Sequence, residues 1–456
     1  MSVTDLQSGF AGEIVCSLTF NLANGKNFSL KTGQQIIQSN YINSVKLSEK
    51  ISTNTDMPVG VNNSNVLDIE IVSTNHALIP DNKESIYYGY MDNTAIIQLH
   101  INELETGKIV HFGKYYVTSW TAERDNSNPN LVQIEAVNVM SLLSQQDVPD
   151  TVINSGMLIK DWLINTVTKV NESLDDNRKI TIDESNITFD AFPNMQFCNL
   201  NTNNMGDAMN EISQCTLTNI FTDRNNALKT NYTCDVKAKD AKYRLDVVTS
   251  AECKDAYLVG YDGVTVTYSN GDINPLELLG TVSNKEITSE GLTGDSAIQI
   301  NLGDGVYKIN RIECIATDDS ILVYPSSATY SKKTITIELK STGDTTVRIE
   351  VYGQRLDTTE LTYSIEGTNP LKVTNKVIHG SKYVKKYATE LNKLIAIKTD
   401  QIRIGGYFKT DIELGDTVYV DLQGSMSMDG YYKVVEMEWD FSMYGYCDMT
   451  LIKTTE

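Results

Sequence analysis

The chain has 456 residues, 38 Lys and Arg against 59 Asp and Glu, and a formal charge of −21. That length exceeds what one hydrophobic core supports, so several domains are expected. The acidity argues against binding DNA, RNA or anionic lipid, whose affinity rests on cationic contacts; it serves solubility, or makes a surface past which another polyanion slides without sticking.

No stretch is long and apolar enough to cross a membrane, which takes about 18 residues or more. The start, Met1-Ser-Val-Thr-Asp-Leu-Gln, lacks the basic segment and apolar run of a secretory signal. The seven cysteines, Cys16, Cys198, Cys215, Cys234, Cys253, Cys314 and Cys447, are odd in number and widely spaced, with no Cys-x-x-Cys. Reduced, mostly buried thiols are expected, with neither a disulfide framework nor a zinc site.

Glu13–Leu22 alternates apolar and polar residues and turns at Asn24-Gly25 into Asn27–Leu30, a hairpin signature. Residues 42–50 alternate again, Met57-Pro-Val-Gly60 reads as a turn, and Val66–Val72 as a strand. Tyr87-Tyr-Gly-Tyr90, Ala95–His100 and a hairpin from Gly113 complete roughly seven strands by residue 139, the spacing of a sandwich or barrel. That hairpin runs Phe112-Gly-Lys-Tyr-Tyr-Val-Thr-Ser-Trp120, a polar turn, then Leu131–Val137.

Leu158, Ile159, Trp162, Leu163, Thr166, Val167 and Val170 make one helical stripe. A second helix is expected from Met205 to Cys215, with Asn204 as N-cap and Asp207 at its positive end. A β-hairpin follows, Leu217–Thr222 and Ala227–Tyr232 about Asp223-Arg-Asn-Asn226. Residues 240–365 are a run of short alternating strands, among them Val264–Tyr268, Ile298–Leu302, Thr334–Leu339 and Val347–Tyr352. A third helix spans about Lys382–Ile395, with Ser381 as N-cap, and Val384, Tyr387, Ala388, Leu391, Leu394 and Ile395 on its apolar face. The chain closes with Ile402–Ile404, Ile412–Val420 and a hairpin, Asp429-Gly-Tyr-Tyr-Lys-Val-Val-Glu-Met-Glu-Trp439 followed by Cys447–Ile452.

This last hairpin repeats the one at Gly113. With the glycines aligned, Tyr115 matches Tyr432 and Val117 matches Val434. Trp120 and Trp439 fall two residues out of step, which keeps both on the same strand face. The reading is one small β-barrel used twice.

Motifs for chemistry are sparse. There is no Gly-x-Ser-x-Gly elbow, phosphate loop or His-Glu-x-x-His. His100 and His111 flank the turn Glu103-Leu-Glu-Thr-Gly107, and across a hairpin they approach each other. With Glu103 or Glu105 they would make a two-His metal site; exposed hairpin histidines are the simpler reading. Acidic turns such as Asp262-Gly263 and Asp318-Asp319 lack the alternating ligands that calcium wants. No metal or cofactor is expected. Among 24 tyrosines, the pairs Tyr115/Tyr116 and Tyr431/Tyr432 are candidate anchors of an oligomer or partner interface.

Three stretches, in order, carry a family resemblance: Gly113–Val117 through Val132–Leu143; Asp207–Thr216 through Phe221–Leu228; and Asn369-Pro-Leu371, the helix from Lys382, and Ile412-Glu-Leu-Gly-Asp-Thr-Val-Tyr-Val420. Together they resemble the tail hub family of phages and contractile injection machines, whose members are baseplate hubs or tail-associated proteins related to the hub half of type VI secretion spikes. The likeness covers about half the chain, and residues 240–365 match nothing in it.

The fold class expected is mainly β with a few helices (α+β, multi-domain), two similar small β-barrel units flanking helical and inserted β domains. The domains are read as 1–148, an N-terminal β-barrel hub domain; 149–239, a helix–hairpin unit; 240–366, an inserted sandwich-like domain; and 367–456, a helix plus C-terminal β-barrel. The resemblance implies a structural virion protein assembled in the host cytoplasm: a homotrimeric hub between the tail tube or distal tail protein and the spike or tail-tip protein. DNA would pass through its lumen without specific binding. Two barrels per chain would let three subunits imitate six. A glycan-binding tail-tip adhesin is the alternative. A cell-wall-degrading enzyme is a further one, weakened because the chain ends at Glu456, directly after the closing β unit.

Overall fold

The computed structural model describes the chain apart from residues 1–5, 10, 12, 23–24, 33–40, 52–64, 74–78, 86–87, 89–94, 124–130, 150–156, 196–201, 203, 233–240, 255–259, 293–296, 304, 331–332, 398–400, 423–427, 443–444 and 454–456. The expected turn at Met57–Gly60, most of Tyr87–Tyr90, Asn24, Cys198 and Cys234 lie outside the described residues.

Alternation of apolar residues builds the N-terminal half. A two-residue strand β1 (Gln7–Ser8) precedes β2 (Ile14–Asn21), β3 (Asn27–Lys31), β4 (Tyr41–Lys50), β5 (Val66–Val72), β6 (Ile96–Glu103), β7 (Ile109–Glu123) and β8 (Leu131–Val137). In β2 the inward set is Ile14, Cys16, Leu18 and Phe20, all buried. Because the side-chain period is 2, any one-residue slip would turn that set to water. Gly25, at φ +77°, closes the expected β2–β3 hairpin.

The helical unit follows: α1 (Val139–Ser144), α2 (Ile159–Ser173), α3 (Met205–Thr216) and the hairpin β9 (Thr218–Thr222) with β10 (Leu228–Tyr232). The α2 stripe buries Ile159, Trp162, Leu163, Thr166, Val167 and Val170, and Leu158 is its N-cap. At the start of α3, the Asn204 Oδ1 accepts from the backbone N–H groups of Gly206 and Asp207, at 2.7 and 3.3 Å. Those two donors have no carbonyl within the helix, so Asn204→Ala is expected to cost about 1 kcal/mol of unfolding free energy in urea titration. A loss below a few tenths would mean water caps the helix equally well. Leu217 ends α3 in the left-handed region, φ +51°.

The stretch 240–366 contributes to three bodies. β11 (Tyr243–Leu245) and β12 (Ser250–Lys254) join the large sheet described below. A small core of its own, including Ile287, Ile300, Ile337, Ile349 and Val351, is enclosed by β14 (Glu277–Thr288), β15 (Gly291–Leu292), β16 (Ile298–Asn301), β17 (Val306–Ala316), β18 (Val323–Tyr330), β19 (Thr334–Ser341) and the first half of β20 (Thr345–Ile365). The second half of β20 pairs with β13 (Gly263–Ile273), and β13 runs parallel to β21 (Pro370–His379). Val264, Val266 and Tyr268 of β13 pack into the helical core. The Asp262 carboxylate accepts from the N–H groups of Thr368 and Asn369, at 2.8 and 2.6 Å, and so fixes the turn before Pro370.

α4 (Ser381–Ile397) starts one residue before the expected Lys382, directly after Gly380 at φ +82°. All six residues expected on its apolar face are buried. The last strands are β22 (Gln401–Gly406), β23 (Thr417–Leu422), β24 (Met428–Asp440) and β25 (Tyr446–Lys453). Within Ile412–Val420 the strand begins at Thr417, after a turn at Gly415-Asp416 where Gly415, at φ +84°, breaks the extended path.

Candidate assembly interface

The two similar hairpins fold alike, and the likeness extends beyond them. Gly113 and Gly430 share a positive φ, +126° and +138°, a backbone region that only glycine adopts without strain. In β7–β8 the register shifts by one residue after Val117; in β24–β25 it shifts after Val434, the aligned position. A bulge at the same place re-aims the rest of each strand in the same way.

The pairing then matches strand for strand. One unit has the order β4-β5-β8-β7-β6-β2-β3, the other β12-β22-β25-β24-β23-β11-β1. The five strands from β4 to β6, and from β12 to β23, are antiparallel throughout. They differ at the far edge, where β11 runs parallel to both β23 and β1, while β2 is antiparallel to β6 and β3. Each unit is a half-barrel, and the two share a continuous core.

They are joined edge to edge. β24 leaves β23 halfway along, and its freed edge pairs with β4: Glu436 faces Lys50, Glu438 faces Ser48, Trp439 faces Leu47 and Asp440 faces Lys46. Two backbone bonds of 2.9 Å flank this run, from Ile51 N to Val435 O and from Phe441 N to Val45 O. Lys50 and Glu436 form an ion pair across it.

Beneath the junction lies a buried charge pair. Arg224 Nε and Nη2 donate to the two oxygens of Glu49, at 3.1 and 2.7 Å, and Nη1 donates to Thr410 O at 2.6 Å. Trp439 Nε1 donates to Glu49 Oε2 at 3.2 Å. The guanidinium lies 3.7 Å over the Phe112 ring, which meets Trp439 and Phe441 edge-on. Burial lowers the pKa of Arg224, but the Glu49 carboxylate, with Glu413 and Tyr115, raises it, and the net shift is upward. Glu49 belongs to one half-barrel, Thr410 to the other, and Arg224 to the hairpin of the helical unit, so one guanidinium ties three parts together. Neither residue stood out in the sequence. The only signal was the polar turn Asp223–Asn226, with a bulky cation in a position where a turn needs none.

The tyrosine pairs are placed as follows. Tyr115, Tyr116 and Tyr432 are buried, and Tyr431 is half-buried. The Tyr115 hydroxyl donates to Phe112 O at 3.0 Å, and that of Tyr116 to Asn177 O at 2.6 Å, linking β7 to the helical unit. Tyr431 packs edge-on against Tyr419, with ring centroids 5.0 Å apart. Of the four, Tyr431 is the one a partner could reach.

His100 and His111 do meet across β6 and β7, with Nε2 and Nδ1 3.4 Å apart. Burial lowers the pKa of both; His100, Lys114 and Arg224 lower that of His111 further. Neutral rings, one donating to the other, follow. The Glu103 carboxylate instead accepts from the hydroxyls of Thr106 and Thr410, at 2.9 and 2.6 Å. Among the described residues no group of three or more His, Cys, Asp or Glu gathers as metal ligands would.

No protein-family model matches this sequence, and no curated protein matches it. Among solved structures the chain is similar to the 43 kDa tail protein of prophage MuSo2 from Shewanella oneidensis, with a TM-score of 0.51 at 8% identity, over 96% of this chain and 98% of that one. A tail protein from Neisseria meningitidis MC58 gives 0.49 at 9% identity, with 96% of each chain covered. An E. coli component of the type VI secretion system, described as structurally similar to T4 bacteriophage tail proteins, gives 0.40 at 7% identity, over 96% of this chain and 77% of that one. The fold is therefore that of a phage tail protein, on the strength of the Shewanella likeness.

Proposed function

We propose that this chain is a structural hub of a phage-type tail, a homotrimer that joins the tail tube to the spike or tip. The observation that carries the reading is the pair of matched half-barrels in one sheet. Two equivalent units per chain give a threefold ring six similar faces, which suits docking to a sixfold tube. Its work is assembly rather than catalysis. The charge of −21 suits a wall past which DNA moves, since like charge prevents sticking. The half-buried pair Tyr419/Tyr431 is the aromatic contact open to a neighbour.

Size-exclusion chromatography with light scattering is expected to find a particle of three chain masses, alone or when mixed with the cognate tube protein. A chain that stays monomeric in both settings would remove the hub reading.

A further inference from the structure

β20 runs on past its neighbour. Its first half has a strand on each side, β14 and β17. The β17 flank stops where Val306 faces Arg355 and Gly305 O accepts from Leu356 N at 2.8 Å. From Asp357 to Ile365, β20 keeps β13 on one side and has no strand on the other among the described residues. Leu356 N points to the β17 side, and Arg355 O, which accepts from Asn274 N, to the β13 side. Backbone groups alternate sides along a strand, so the N–H and C=O of Thr358, Glu360, Thr362 and Ser364 point outward, paired with no described strand.

This edge lacks the devices that keep other edges single. Bulges, proline and lysine discourage an incoming strand. β17 has two register shifts against β20, at Val306/Lys308 and Ile309/Arg311, and β18 carries Pro325 with a shift beside it. Asp357–Ile365 contains no proline, glycine or lysine, and its pairing with β13 shows no shift. Thr358, Thr359, Thr362, Tyr363 and Ile365 also favour the extended form.

The side chains say what fits. Leu361, Tyr363 and Ile365 lie opposite Tyr268, Val266 and Val264, the face of β13 that packs into the helical core. Tyr363 and Ile365 are half-buried there, whereas Leu361 is 44% exposed. The other face, Thr358, Glu360, Thr362 and Ser364, is polar and exposed. Asp357, Glu360 and Glu366 bring three carboxylates and no cation to this run. Lys376 of β21 meets Glu360 at 2.8 Å, an exposed pair that leaves the run acidic.

We infer that this edge of β20 receives an extended basic segment of another protein, which adds to the sheet as an antiparallel strand. Its apolar residues alternate with lysine, arginine or threonine, so that one face covers Leu361 and the other meets the carboxylates. A second copy of this chain fits less well, since it would set two acidic runs side by side. The inference needs only the fold and stands apart from the hub reading.

The probe is a labelled peptide, Lys-Val-Thr-Val-Lys-Val-Thr-Val-Lys, titrated with the full chain by fluorescence anisotropy at about 0.15 M salt, where weak charge attraction is screened. With valine on the Leu361 face, the peptide's Lys and Thr N–H groups point at β20. N-methylation of those residues is expected to weaken binding at least about tenfold, and N-methylation of the valines to leave it unchanged. Thr362→Pro is expected to weaken it as much: proline there fills the outward N–H position and costs no bond to β13, so the variant keeps its urea midpoint. A peptide of the same composition with its lysines and valines regrouped is expected to bind at least about tenfold more weakly. Equal binding by that peptide, equal loss from both methylation patterns, binding that survives Thr362→Pro, or no saturable binding would each overturn the inference. Self-association of the chain that Thr362→Pro abolishes would make a second copy the occupant and overturn the basic partner.

Discussion

Arg224→Ala is expected to cost about 3–5 kcal/mol of unfolding free energy, the penalty for stranding one charge of a buried pair. The substitution removes both donors that Glu49, 2% exposed in the native chain, receives from the guanidinium, and Trp439 Nε1 is the remaining donor among the described residues. It also frees Thr410 O and uncovers the Phe112 face. The pair as a unit contributes far less than either single loss implies, because desolvating two charges offsets much of their attraction. Replacing both, as in Glu49→Leu with Arg224→Met, is therefore expected to recover most of the loss. Urea titration of the two single variants and the double variant gives the coupling directly. If Arg224→Ala costs less than about 1 kcal/mol, the pair does not clamp the half-barrels to the helical unit.

Trp162→Ala is expected to cost a similar amount, about 3–5 kcal/mol, through the cavity left in the helical core. Trp162 is 0% exposed and sits among Leu163, Val167 and Met209 in one cluster. The variant also isolates a signal: with three tryptophans in the chain, removing this one leaves Trp120 and Trp439, both in the large sheet. Helix content by circular dichroism then follows the helical core, and fluorescence follows the half-barrels. The hairpin β9–β10 puts Ile220 and Leu228 into the helical core and Arg224 under the sheet junction. Both signals are accordingly expected to shift to lower urea together. Separate transitions would show that the clamp does not couple the two cores.

Much of this fold was legible locally. Strands with clean alternation, the β2–β3 and β9–β10 hairpins, the α2 and α4 stripes and the Asn204 cap all follow from residues within a few positions of one another. So did the repeated hairpin, because its glycine, tyrosine and valine recur at fixed spacing. The turn at Gly415-Asp416 before the strand from Thr417 is local in the same way, and the fault was local too: a helix begun one residue late.

The tertiary structure alone decided which edges meet. Nothing near β24 says that it will pair with β4, or that β11 and β12, read as part of an inserted stretch, will complete the second half-barrel. Arg224 and Glu49 lie 175 positions apart, and no periodicity connects them. It also turned the tyrosines that read as interface anchors mostly inward, since alternation tells which residues share a face but not which face is covered. The sequence by itself determined the units and their duplication, because hydrophobic period and turn chemistry act over a few residues. Their joining was left to the folded chain, because an edge-to-edge backbone pair uses N–H and C=O groups that every residue carries alike.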